Sequence, residues 1–324
     1  MTTLFLATTG GHLTQLAGIA ERIPHDPDSV WVTHSNEQSE SLLADRDVQY
    51  IPYVGVRDVR GVLGCVPVAH ALHGRRHITR AISTGSGIAL GFLPYLAARG
   101  VECHYIESAA RVAGPSVTGR LLRRVPRVHT YTQHRHWSDE HWPYGGNGFD
   151  AYEPVCESRT LGDPIRVVVT VGTAREFPFR RLMVRLSKLL APGGGLEQAT
   201  GLPVEVLWQT GGAPVDDLPI TPIPFLPVAD LNAALVRADI VVSHAGTGSA
   251  LADLAAGRYA VIVHRIAQFG EAGDDHQQEL ARELDARGLA LHRDASEITV
   301  DDLLATLSSG VRRVAEVPAF ELRP

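Results

Sequence analysis

The sequence predicts an α/β protein built as two halves, each a parallel sheet with crossover helices. Three observations carry this. At 324 residues the chain exceeds one average domain and comfortably fills two. Apolar, β-rich runs alternate with helical patterns along its length. The alternation is interrupted once, near residue 145, and resumes at Pro164.

In the first half, residues 4–8, 30–33, 78–83 and 101–106 read as strands, with helical patterns such as 12–21 and 88–98 between them. The run WPYGGNG (142–148) breaks the rhythm, so a first domain, 1–145, is expected to pass through a linker, 146–163, into a second domain, 164–324. Residues 165–171 form a continuous β-branched run of the kind a strand buried on both faces requires, and Gly172 and Thr173 turn out of it. Helix (179–190), strand (204–208), helix (229–237), strand (240–243), helix (249–256), strand (260–264) and helix (276–287) then follow.

Cys65, Cys103 and Cys156 give neither a disulfide framework nor paired zinc spacing. The N-terminus runs into a strand without a basic start or a long apolar stretch. A cytoplasmic protein is expected. Residues 59–138 hold eleven arginines against Glu102 and Glu107, a net +9 in a chain of net −6, so one face of the first half is expected to meet something anionic. Beside these arginines, residues 62–66 (VLGCV) read either as an interfacial membrane patch or as core. Nucleic acid is excluded as a partner by the acidic remainder of the chain.

Local chemistry concentrates at strand exits. The segment IVVSHAGTGS (240–249) is a buried strand ending in a small-residue loop that opens a helix. Such a loop points free N–H groups and a positive helix end at an anion, and His244, Thr247 or Ser249 can add donors. The structural alternative is a plain turn capped by Ser249. In FGEAGDDHQQ (269–278), Asp275 and Gln277 offer the acceptors and amide donor that sugar hydroxyls need, unless Asp274 or Asp275 merely caps a helix. A metal held by Asp274, Asp275 and His276 would lack a second ligand cluster, so neither metal nor cofactor is expected. His12, after Gly10 and Gly11 at the start of a helix, is the candidate general base. Glu107, delivered by the strand at 101–106, either assists at the same edge or pairs with Arg111 at helical spacing.

Together these stretches resemble the two-component enzymes that extend lipid-linked saccharides, here fused in one chain. That group includes the PssD/PssE-type capsule transferases and the eukaryotic enzyme that adds the second N-acetylglucosamine to dolichyl diphosphate; it is related to glycosyltransferase family 28. The matching motifs are GGHLTQL (10–16), WVT (31–33), STGSG (83–87), YIESAARVAGPSVTG (105–119), VTVGT (169–173), SHAGTGS (243–249) and FGEAGDDHQQELA (269–281).

The resemblance implies the GT-B architecture, two Rossmann-like domains facing a cleft, and metal-independent, inverting transfer from a nucleotide sugar, a UDP-sugar foremost, to a polyprenyl-diphosphate-linked saccharide. It implies a donor site of Gly172, Thr173, His244, Ala245, Gly246, Thr247, Gly248, Ser249, Asp253, Asp275, His276 and Gln277. On the acceptor side it implies Gly10, Gly11, Thr14 and Arg111, with His12 or Glu107 in catalysis. It also implies a peripheral place on the inner face of the plasma membrane. One position departs from the family: Ala252 stands where a glutamate usually holds the ribose, with Asp253 one residue later. A nucleotide-sugar epimerase and a non-catalytic nucleotide-sugar binding module are the alternatives, since architecture alone does not separate them.

Overall fold

The computed structural model describes residues 2–55, 58–172, 177–273 and 275–323. The chain divides into two units. The first comprises residues 1–150 and 317–324, the second 151–316.

In the first unit the order is β1 (Thr2–Ala7), α1 (Gly11–Ala20), β2 (Val30–His34), α2 (Glu37–Leu42), β3 (Asp47–Ile51), α3 (Val59–Arg75), β4 (Ile78–Gly85), α4 (Gly87–Ala97), β5 (Glu102–Ile106), α5 (Val117–Leu122) and β6 (Val128–Tyr131). The six strands pair in parallel in the order β3-β2-β1-β4-β5-β6. Side-chain alternation along β1 decides which layer each residue serves. Leu4 and Leu6 join Cys65, Phe92 and Leu122 beneath α3, α4 and α5. Phe5 and Ala7 face the other way, onto Leu13, Leu16 and Ile19 of α1, with Trp31, Tyr131 and Phe320.

The second unit opens with β7 (Tyr152–Cys156). It continues through β8 (Ile165–Thr170), α6 (Arg180–Leu190), α7 (Gly195–Thr200), β9 (Val204–Gln209), β10 (Pro222–Ile223), α8 (Val228–Arg237), β11 (Ile240–His244), α9 (Thr247–Ala255), β12 (Val261–Val263), α10 (His276–Ala286), β13 (Leu291–Arg293), α11 (Val300–Ala305) and β14 (Ser309–Arg313). Its parallel sheet runs β10-β9-β8-β11-β12-β13, the same winding as the first. The β-branched β8 lies at its centre, with Ile165, Val167 and Val169 in the core beside Phe179, Leu182 and Leu186.

Both sheets thus have the 3-2-1-4-5-6 order of a doubly wound fold, in which winding reverses between the first and fourth strands. At that point the loops leaving the strands' carboxyl ends splay apart and leave a crevice. Among the described residues no helix is long and apolar enough to cross a membrane.

Two expectations are revised. The stretch expected to be a linker contains β7, which pairs antiparallel with β14 through Tyr152↔Arg313 to Cys156↔Ser309. Residues 317–324 leave the second unit and return to the first, where Phe320 is 3% exposed and its N–H donates to the Arg22 carbonyl.

Candidate active site

Each unit carries candidate residues at the switch point of its sheet and at the exit of the neighbouring strand, β5 in the first and β12 in the second. In the first, β1 leads into Gly10, which takes φ +87 and serves as the N-cap of α1. A side chain there would be strained, so glycine is required. Gln38 of α2 clamps this turn: its Oε1 accepts from the Gly10 N–H at 2.6 Å, and its Nε2 donates to the Gly10 carbonyl at 3.3 Å and to Thr14 Oγ1 at 3.1 Å. Thr14 Oγ1 itself donates to the Gly10 carbonyl at 3.2 Å.

His12 is held by the end of β4. Its Nδ1 lies 2.6 Å from the Thr84 carbonyl, and Thr84 Oγ1 donates back to the His12 carbonyl at 2.8 Å. A carbonyl only accepts, so the Nδ1 carries the proton. Gly85, at φ +107, packs against this ring. A Cβ there would lie 3.1 Å from His12 Cε1 and 3.5 Å from the Tyr105 hydroxyl.

Tyr105 leads to Glu107. The Tyr105 hydroxyl donates to Glu107 Oε1 at 3.2 Å, the Ser108 N–H to the same oxygen at 3.0 Å, and the Ser116 N–H and hydroxyl to Oε2 at 2.8 and 2.9 Å. Glu107 is 1% exposed; burial raises its pKa, and the Ser116 and Ser108 donors offset part of that rise. Both oxygens therefore accept hydrogen bonds that shape the 107–116 loop. Arg111 is half-buried on this loop, and its charge also lowers the Glu107 pKa.

Glutamines complete the corner: Gln15 lies within the GGHLTQL motif, and Gln133 stands outside every motif noted above. Gln15 donates to the Gly11 carbonyl and Ser108 Oγ, both at 3.1 Å, and accepts from the Ala109 N–H at 2.8 Å. Gln133 donates to Gln15 Oε1 at 3.1 Å and to the Glu107 carbonyl at 2.9 Å. The network ties α1 to the 107–116 loop.

In the second unit, Gly246 is the N-cap of α9, so Ser249 lies inside the first turn rather than at the cap. Its Oγ pairs with His244 Nδ1 at 3.2 Å. The imidazole of His244 fills the space between two glycines: a Cβ on Gly172 would lie 2.6 Å from its Cε1, and one on Gly246 2.3 Å from its Nε2. Burial, then the charge of Arg265, pushes the His244 pKa well down, so the ring is neutral. Ala245 is fully buried, its N–H donating to the Val263 carbonyl at 2.8 Å, and Thr247 is 7% exposed; Gly248 is half-buried. Thr173 and Asp274 lie outside the described residues.

Asp253 does not join this group. It is 1% exposed on the inner side of α9, and burial pushes its carboxyl pKa up to about 8. Its burial on the inner side of α9 sets Asp253 apart from the glycine loop. Ala252 is half-buried beside it.

The 264–277 loop is braced from within. Asp275 Oδ1 accepts from the Ala267 N–H at 3.0 Å, Gln277 Oε1 from the Arg265 N–H at 3.2 Å, and Glu271 Oε2 from the Ile266 N–H at 3.1 Å. Asp275 occupies the N-cap position of α10 without capping it through its side chain. His276 opens that helix, half-buried. Arg265, which sequence reasoning passed over, is 4% exposed at this edge.

The comparisons with known proteins bear on this second site directly. Residues 166–315 match the glycosyltransferase family 28 C-terminal domain. The chain is 29% identical over 346 aligned positions to a UDP-N-acetylglucosamine--N-acetylmuramyl-(pentapeptide) pyrophosphoryl-undecaprenol N-acetylglucosamine transferase of Nitratidesulfovibrio vulgaris (strain DP4), covering 92% of this chain and 85% of the relative. Among solved structures it resembles Acinetobacter baumannii MurG, at 20% identity and a TM-score of 0.58, over 95% of this chain and 91% of that one. It also resembles a UDP-N-acetylglucosamine 2-epimerase, at 11% identity and a TM-score of 0.55, over 89% of this chain and 90% of that one.

Two doubly wound units with glycine loops at their switch points give the GT-B fold, and the family 28 match at 166–315 together with the transferase relative supports a glycosyltransferase. Through the domain at 166–315, the enzyme is related to glycosyltransferase family 28.

Proposed function

We propose that the chain is an inverting, metal-independent glycosyltransferase that moves a sugar from a nucleoside diphosphate sugar, a UDP-sugar foremost, to a polyprenyl-diphosphate-linked saccharide. The first unit takes the acceptor and the second the donor. The observation that carries the reading is the glycine-lined loop at the N-terminus of α9, inside the segment that matches family 28. The lipid-linked acceptor follows the name of the curated relative and the ordered motifs shared with the two-component enzymes.

On this reading His12 Nε2 takes the acceptor hydroxyl proton, the oxygen forms its bond to the anomeric carbon, and the bond to the nucleoside diphosphate breaks. The diphosphate departs toward the amides of α9, whose partial positive charge stabilises it. Gly10, Gly11, Thr14 and Arg111 border the acceptor, while Asp275, His276 and Gln277 hold the loop that faces the sugar. A lipid-borne substrate calls for contact with an anionic membrane surface. Val59 and Leu63 on α3 and Val117 and Leu121 on α5 are between 44% and 71% exposed, and Arg60, Arg120, Arg123 and Arg124 are exposed on or beside the same helices.

The test is a panel of UDP-, GDP- and TDP-sugars, with and without a polyprenyl-diphosphate-sugar acceptor, following nucleoside diphosphate release and lipid extension. Consumption of one donor only with acceptor, unaffected by EDTA, is expected. Conversion of the nucleotide sugar without acceptor would replace the transferase by an epimerase, and binding without turnover by a non-catalytic module.

A further inference from the structure

Arg265 stands just past the C-terminal end of β12, and its side chain crosses the end of β11 to reach β8, where Nη2 donates to the Val171 carbonyl at 2.6 Å. Val171 immediately precedes Gly172, against which the His244 ring packs. The guanidinium is thus embedded at the foot of α9, in the same knot as His244 and the two glycines.

Its charge is poorly met there. Among the described residues the Nε has no hydrogen-bond partner, and the ring of Phe179 lies 5.7 Å from the guanidinium carbon. Glu271 eases the charge from a distance, yet its carboxylate already receives two N–H groups from Arg181 at 3.2 Å and the Ile266 N–H. A buried cation with an unmet donor is costly unless something anionic completes it. The amides opening the nine-residue α9 carry partial positive charge, and His244 is neutral.

We propose that Arg265 is the buried counter-charge of the donor's diphosphate, an electrostatic anchor at the foot of α9 that the ligand completes. The proposal rests on the donor-site reading above. Arg265 is not a catalytic residue on this account. It acts on the leaving group through position and charge, without taking or giving a proton.

Equilibrium titrations of the full chain with UDP, GDP and TDP, and with the matching nucleosides, test it in wild type, Arg265→Met and Arg265→Lys. For the diphosphate that wild type binds best, Arg265→Met is expected to weaken affinity roughly tenfold to a hundredfold, as for a lost charged hydrogen-bonding partner. Nucleoside affinity should hold, Arg265→Lys should recover most of the loss, and the ligand-free Met variant should melt no lower than wild type. Diphosphate affinity unchanged in Arg265→Met overturns the proposal alone. So does an equal loss of diphosphate and nucleoside binding in both variants with a lower Tm, which would make Arg265 a packing residue. A wild type that binds none of the three diphosphates overturns the donor-site reading along with it.

Discussion

Asp253 is a single residue with a measurable cost. Burial moves its carboxyl from 3.8 to about 8, and the Ser243 hydroxyl offsets only part of this. Below about pH 4 the folded and unfolded chains are both protonated. Between about pH 4 and 8 the unfolded chain loses a proton that the folded chain keeps, so stability falls as pH rises, by about 1.4 kcal/mol per unit. Asp253→Asn should remove that slope in urea denaturation between pH 5 and 7; parallel slopes would mean that water reaches the carboxyl. His12 and Glu107 should separate just as cleanly. His12→Ala should cut kcat by roughly a hundredfold or more with an unchanged Tm. Glu107→Gln should lower stability by about 1–3 kcal/mol, because its new amide N–H₂ confronts the donors of Ser116 or Ser108. Much of this corner was legible, since GGH and SHAGTGS announce strand-exit loops. The roles of Gln15, Gln38 and Gln133 were not, because an amide that hydrogen-bonds across 93 or 118 positions leaves no local spacing to read.

At the scale of elements, the buried strands β1, β8 and β11 were plain in the sequence because burial on both faces demands continuous apolar runs. The edge strands were not. β3 is mostly exposed or half-buried, and β10 has two residues. The α3 helix hides behind Gly61, Gly64, Gly74 and Pro67, residues that each argue against a helix locally. Tertiary packing overrides them. At Gly91 of α4 a Cβ would lie 2.4 Å from the Cys65 Cβ and 2.6 Å from the Val62 carbonyl, so α3 and α4 meet at van der Waals contact through a glycine. The 62–66 stretch accordingly divides: Cys65 is core at 2% exposure while Leu63 is 63% exposed. Gly91→Ala should cost about 1–3 kcal/mol by overpacking, read from the urea midpoint. An unchanged midpoint would show that the two helices can part at little cost.

At the scale of the whole molecule, the two α/β halves followed from length and alternation, whereas the path of the chain between them did not. Residues 317–324 look like an unremarkable tail, and their ties to Arg22, Gly145 and Tyr131 connect positions up to 296 apart. Phe320→Ala should destabilise the first unit by roughly 3–5 kcal/mol, the range for a buried phenylalanine. Two-transition unfolding should show only one transition moving. The β7/β14 ribbon carries a topological consequence. With Tyr152 opposite Arg313, and the Val314 N–H donating to the Ala151 carbonyl, the chain leaves the first unit and re-enters it at neighbouring points. The second unit is therefore inserted within the sequence of the first, with β7 and β14 paired at its two ends. A gene joining Asp150 to Val317 by a short loop should give a resealed first unit, and the 151–316 segment should fold as an independent module whose ends are already side by side.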